Sequence, residues 1–287
     1  MTDIRADILS RLDALEDLPT LPGIVLELER VLHGDTSDAA EVVLIIEEDP
    51  SIAAAVLRVA NSVAHYSSAS GTITSLRDAV VRIGLNEVSR LASAVALIHV
   101  FGESSRQLDH KKFWHHSFMV ASGARRMCLM SDQLRLVAED EAYISGLLHD
   151  IGLLILDQFF PELYDRVAAV VQATGAEWAE KETEVLGVGH GELGGRLLEL
   201  WDLPDTVVQA VTWHHCPESA PEASTRLSQA LRVEEFLSAY IDEDKAFEQL
   251  TGTDIEGPAG ELALSDEDCV QVLDQMRNST PVFLGIL

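Results

Sequence analysis

The 287-residue chain contains three cysteines, Cys128, Cys216 and Cys269, and none lies in a C-x-x-C pattern. Widely spaced and odd in number, they exclude a disulfide framework and a thiolate zinc knuckle, and they fit a reducing, cytoplasmic setting. Basic residues are also scarce, with 20 Lys plus Arg against 48 Asp plus Glu and a formal charge of −28. No Lys/Arg-rich stretch is available to track phosphates, so neither nucleic acid nor an anionic membrane is an expected partner. No apolar run approaches the roughly 20 residues needed to span a bilayer. The opening MTDIRADILSRLDALEDLP alternates charged with apolar residues and lacks the apolar core of a signal peptide. β-branched runs bounded by turn residues are few, which leaves little material for a sheet.

What is present is helical periodicity. Hydrophobic residues make up 47% of the chain and charged ones 24%, enough to bury one large core or two moderate ones. After Leu18-Pro19-Thr20-Leu21-Pro22-Gly23, the residues Ile24, Leu28 and Leu32 mark a short amphipathic helix ending at Gly34. Ser37-Asp38 with Glu41 signals a capping box, Asp49-Pro50 stops that helix and starts another, and Ser75 with Asp78 repeats the capping signal before Gly84. A longer, mostly apolar helix covers residues 87–100. The expected organisation is a bundle of short helices over residues 1–102 and a larger helical domain over 103–240. The segment Gly102-Glu103-Ser104-Ser105 marks the boundary between them, and an acidic extension with a possible short helix fills 241–287.

The chemistry lies in the middle third, in His116, His149-Asp150, His190 and His214-His215. A single histidine on an apolar face is usually a satisfied core residue. Here several point inward together: His116 shares a stripe with Phe113, Val120 and Met127, while His190 aligns with Gly194, Leu197 and Trp201. In SGLLHDIGLLIL, read as one helix, Asp150 aligns with Tyr143, Leu147 and Leu154 on the buried side. A buried carboxylate is costly unless it is paired or bound to a cation. Imidazoles and a carboxylate converging from several helices are what a metal ion inside a bundle requires, and a donor set without thiolates suits iron, manganese or a similar ion. Cys216 adjoins the His pair but is a weak candidate. Trp114, Trp178, Trp201 and Trp213 read as core packing, Asn61-Ser62 as a fixed turn, and His33, His65, His99 and His110 as surface or capping residues.

From about residue 18 to 240 the chain resembles the HDOD proteins, the bacterial HD-related output domain group. The resemblance rests on Leu18-Pro19-Thr20-Leu21-Pro22, Glu48-Asp49-Pro50, the stretch from Val56 to Ser62, and the stretch from Ser75 to Gly84. It continues through Phe113-Trp114-His115-His116-Ser117, Gly146-Leu147-Leu148-His149-Asp150-Ile151-Gly152, Leu203-Pro204 and His214-His215. It implies an all-α fold, with an N-terminal bundle of short helices packed on a C-terminal HD-like bundle, and a role in bacterial signalling through a protein partner. Many HDOD members have lost the His-Asp pair, whereas this chain keeps it. Its second half is similar to the HD-GYP phosphodiesterases. That similarity implies one or two divalent ions, iron or manganese favoured, held by His116, His149, Asp150, His190, His214 and His215. Glu235 stands where those enzymes place a final carboxylate.

Two departures argue against carrying the hydrolase activity over. The Lys that resemblance would place after His-Asp-Ile-Gly is Leu153, and nothing after His215 spells Gly-Tyr-Pro. Arg196 and Arg232 are the only cations nearby that could offset substrate charge. The expectation is a non-catalytic regulatory module with a retained HD-type metal site. The alternative is a metal-dependent phosphohydrolase in which Asp150 is catalytic.

Overall fold

The computed structural model describes residues 4–15, 17–32, 38–66, 72–102, 106–242 and 258–286. Among the described residues every regular element is a helix. The chain divides into two compact units, one formed by Pro19–Glu103 with Asn278–Leu287 and the other by Met1–Leu18 with Ser104–Arg277.

The first unit contains α2 (Gly23–Leu32), α3 (Ala39–Glu47), α4 (Pro50–Tyr66), α5 (Leu76–Ile83) and α6 (Leu85–Phe101). Asp38 caps α3 by accepting from the amide of Ala40 at 2.8 Å, and Ser75 caps α5 by accepting from Asp78 at 3.1 Å. Gly84, with φ at +92°, makes the turn from α5 into α6 that a side chain would disfavour. Asn61 of α4 holds Ile73, just before α5, in a two-way amide clasp. Its Nδ2 donates to the carbonyl of Ile73 and its Oδ1 accepts from the amide of Ile73, at 2.8 and 2.7 Å. Gly34, Ser37 and the boundary residues Glu103-Ser104-Ser105 lie outside the described residues, as does His33.

The second unit holds α1 (Ile4–Asp13), α7 (His110–Met130), α8 (Glu139–Leu148), α9 (Ile151–Phe159), α10 (Pro161–Thr174), α11 (Trp178–Leu186), α12 (His190–Leu200), α13 (Asp205–Thr212) and α14 (Glu222–Asp242). Next come α15 (Pro258–Glu261) and α16 (Asp266–Ile286), the latter assigned here as far as Arg277. Helix α1 buries Ile8 and Leu12 and is held by ion pairs from Arg5 to Glu192, Arg11 to Glu162 and Arg196 to Asp13. The described part of the C-terminal extension, residues 258–286, contributes to the core. Ala259 and Leu262 are buried with Cys269, Val272 and Met276 against α7 and α14.

Inside this unit α7 packs on α8 and α14, α9 on α12, and α13 on α8, α12 and α14. Two glycines permit the closest crossings. A Cβ on Gly146 would lie 2.6 Å from Cα of Ala121, and one on Gly152 would lie 2.0 Å from the carbonyl oxygen of His190. Backbone approaches this close bring α8 to α7 and α9 to α12, and they set how near His116 of α7 and His190 of α12 come to the His149-Asp150 pair between α8 and α9. Fully buried side chains such as Trp114, Leu147, Leu154 and Leu198 supply the packing energy, about 1.5–3 kcal/mol for each aliphatic one.

Candidate metal centre

The His149-Asp150 pair sits at a break between two helices. The sequence SGLLHDIGLLIL was expected to be one helix, but α8 ends at Leu148, α9 begins at Ile151, and Asp150 takes φ −98° and ψ 7° between them. Asp150 occupies the N-cap position without using its side chain as a cap, so its carboxylate is free to point elsewhere. The change of direction turns both side chains into the bundle. His190 is the first residue of α12, His214 and His215 follow the end of α13, and His116 and Glu235 project from within α7 and α14.

These seven residues converge. Candidate ligand atoms of Asp150, His190, His214 and His215 lie within 4.8 Å of one another, and so do those of His116, His149, Asp150 and Glu235. The two oxygens of Asp150 face different groups. Oδ1 lies 3.1 Å from Nε2 of His190 and 3.7 Å from Nε2 of His214, while Oδ2 lies 3.3 Å from Nε2 of His149 and 3.7 Å from Nε2 of His116. Oε1 of Glu235 is 2.9 Å from Nε2 of His116 and 2.7 Å from Nε2 of His149. His149 and His214 form a fully buried floor, and Glu235 and His116 form a rim that is 26% and 21% exposed.

The orientation of the rings is the strongest indication of a cation. Nδ1 of His149 meets the carbonyl of Gly146 at 2.8 Å, and Nδ1 of His214 meets that of Val211 at 2.6 Å. A carbonyl can only accept, so both Nδ1 atoms carry hydrogen and a neutral ring keeps its lone pair on Nε2. Nδ1 of His190 likewise meets Oε2 of Glu182 at 2.7 Å. The inward nitrogens then crowd together: His190 Nε2 is 3.3 Å from His214 Nε2 and 2.9 Å from His215 Nε2, and His116 Nε2 is 3.2 Å from His149 Nε2. Lone pairs held this close repel unless a proton or a metal ion lies between them. The residues present therefore fit divalent ions of the kind that imidazole and carboxylate share.

Without metal, protons fill that role. Burial works against charging His149, but Asp150 and Glu235 outweigh it and push the imidazole up to about 10. His190 is likewise raised against its burial by Glu182 and Asp150, and His116 by Glu235. His214 and His215 go the other way. Burial lowers both, neighbouring imidazoles add to the effect, and His215 falls to about 4. Burial opposes ionisation of Asp150 and Glu235, yet the facing imidazoles hold both carboxyls well below the usual range.

Glu182 was not foreseen from the sequence. It is fully buried on α11, accepts from the backbone amide of His190 at 2.7 Å as well as from its ring, and receives the indole N–H of Trp178. A signal existed: Glu182 is spaced four residues from both Trp178 and Leu186, on the inward stripe of its helix. Other candidates stay apart. Cys216 is exposed and belongs to neither group, His110 accepts from the indole of Trp114 at 3.1 Å, and His99 is exposed. The side chain of His65 lies outside the described residues. Arg196 is engaged by Asp13 and Glu199, and Arg232 pairs with Glu218 at 3.6 Å.

A family model for the HDOD domain matches residues 18–217. An uncharacterized protein of Treponema pallidum (strain Nichols) is 25% identical over 249 residues, and the match covers 87% of this chain and 47% of that protein, so the chain spans about half its relative's length. A provisionally designated phosphohydrolase from Shewanella amazonensis is 26% identical, with a TM-score of 0.76 over 98% of this chain and 97% of that one. An HDOD domain protein of unknown function from Geobacter sulfurreducens shares the fold, with 22% identity and a TM-score of 0.78 over 98% of both chains. By the extent of the family match, together with the two-part helical fold and the histidine cluster, the chain belongs to the HDOD domain family.

Proposed function

We propose that this chain is a regulatory HDOD module whose HD-like unit binds two divalent ions, iron or manganese, and acts through a protein partner in bacterial signal transduction. His190, His214, His215 and Oδ1 of Asp150 would hold one ion. His116, His149, Glu235 and Oδ2 of Asp150 would hold the other. The observation that carries the reading is the pair of four-donor groups that share Asp150. In HD-type sites such ions supply Lewis acidity and organise water for attack on phosphorus. What this chain's own residues contribute is a fixed scaffold: Asp150 spans both groups, Gly146 and Val211 lock the ring tautomers of His149 and His214, and Glu235 faces the open rim.

The regulatory reading is preferred because, among the described residues, the leading charged neighbours of the cluster are its own imidazoles and carboxylates together with Glu182. Leu153 stands where the HD-GYP resemblance would place a phosphate-binding Lys. A charged clamp on a transferring phosphoryl group contributes several kcal/mol, so its lack lowers turnover by roughly 100-fold or more. Two observations favour the hydrolase as a second reading. The rim of the cluster is partly exposed, and the Shewanella relative is designated a phosphohydrolase.

The test is to load the protein with Mn2+ or Fe2+, measure bound metal, and assay an aryl phosphodiester and cyclic dinucleotides. Bound metal with negligible turnover is the expected result. Turnover of about one per second that disappears in Asp150→Ala would establish the hydrolase instead.

A further inference from the structure

We infer that Glu182 is a positioning residue for the His190 side of the cluster, fixing that ring so that Nε2 faces Asp150, His214 and His215. The inference rests on the metal-binding reading above. The three most buried histidines of the cluster are oriented differently. His149 and His214 each donate Nδ1–H to a carbonyl three residues earlier in their own chain segment, a neutral contact that any residue at those positions would provide. His190 opens its helix, so no such carbonyl is available to it. A side chain eight residues upstream takes the part, so that Nδ1 of His190 meets a carboxylate where those of His149 and His214 meet carbonyls.

The carboxylate is held on every side that matters. Oε2 accepts from the amide and from Nδ1 of His190, both at 2.7 Å, and Oε1 accepts from the indole of Trp178. Trp178 packs in turn against Tyr164, with ring centroids 4.8 Å apart and planes tilted by 42°. The chain Tyr164, Trp178, Glu182, His190 thus connects α10 and α11 to the inner cluster. A carboxylate behind an imidazole fixes its tautomer and strengthens its donation to a metal, and losing such a partner typically weakens binding by about 10- to 100-fold. A fully buried carboxylate needs this much hydrogen bonding to be tolerated at all, so hydrogen bonding and charge must be separated experimentally.

Two variants make the separation. Glu182→Gln removes the charge but turns an amide N–H2 toward the indole N–H of Trp178. Adding Trp178→Phe removes that donor conflict without restoring charge. Binding of Co2+ and Mn2+ is measured by titration calorimetry, the environment of the His190 group is read from the Co2+ visible absorption bands, and folding is followed by thermal melting. Glu180→Gln, on an exposed glutamate beside Lys181, serves as the control.

Wild type and Glu180→Gln are expected to bind two ions alike. Trp178→Phe/Glu182→Gln should melt near wild type yet bind one of the two ions about 10- to 100-fold more weakly, with altered Co2+ bands. Recovery of full affinity in the double variant, or unchanged affinities and bands in a folded Glu182→Gln, would overturn the inference and leave the metal reading standing. No specific binding of either ion by wild type would overturn the metal reading and this inference together.

Discussion

Protons and metal ions would compete for the same inward nitrogens, and this would give the cluster a definite pH dependence. His149, His190 and His116 hold protons above the ordinary imidazole range in the metal-free protein, so an ion must displace them. Apparent affinity for Mn2+ should therefore rise as pH increases from 6 toward 9, with proton release visible in calorimetry across buffers of different ionisation heat. Affinity independent of pH would contradict this. The linked stability has the opposite sign: a raised imidazole such as His149 stabilises the metal-free fold fully below its unfolded value of 6.5, and that contribution fades as pH climbs toward about 10. Glu234, next in sequence to Glu235, is a different case. Its side chain is fully buried against Gly123, neither oxygen has a hydrogen-bond partner among the described residues, and burial pushes its carboxyl well above the usual range. An unsatisfied buried polar group costs about 1–3 kcal/mol, so Glu234→Met should stabilise the protein by that order. The unfolded chain ionises above 4.5 while the folded one does not, so the gain should grow as pH rises above 4.5 in thermal melts.

Helix crossings convert those residues into a cluster, and the crossings were harder to read from the sequence than the candidate ligands. Histidine and aspartate announce their chemistry by type, which is why His116, His149, Asp150, His190, His214 and His215 could be selected from sequence, whereas Glu235 came only from the resemblance to the HD-GYP enzymes. The break at His149-Asp150 could not be seen in hydrophobic periodicity, because apolar residues continue on both sides of it. Its one local cue is that aspartate is a favoured N-cap type. Glu182 was hidden for a similar reason, lying in the acidic run of α11 where only its spacing from Trp178 and Leu186 sets it inward. Gly152 tests the crossing directly. A methyl there would meet the carbonyl of His190 at 2.0 Å, a backbone atom that cannot swing aside. Gly152→Ala should destabilise the protein by about 1–3 kcal/mol or more and weaken ion binding by displacing α12 from α9. A variant with wild-type melting and wild-type Mn2+ affinity would show that the two helices are not held as closely as described.

The charge of the whole chain bears on how metal binding must be measured. At −28 the protein attracts divalent cations nonspecifically, so metal content alone says little about the histidine cluster. Asp150→Asn resolves the ambiguity. It removes one negative charge out of that total and therefore leaves diffuse attraction almost unchanged, yet it takes charge from the one carboxylate that faces both groups of donors. The loss in affinity should exceed the roughly 10- to 100-fold typical of a partner one step removed from the ion, and it should affect both ions at once. Hydrogen exchange supplies the structural counterpart. Ligands from α7, α12 and α14 and from the ends of α8 and α13 would be joined by the ions, so chelation should raise exchange first in residues 146–153 and 190–195 and around 213–216, where the ligands sit at helix ends. In Asp150→Asn the exchange pattern should resemble the chelated wild type whether or not metal is added. If that variant still gains protection from Mn2+, the protecting ions are bound elsewhere on the acidic surface and the seven-residue cluster is not their site.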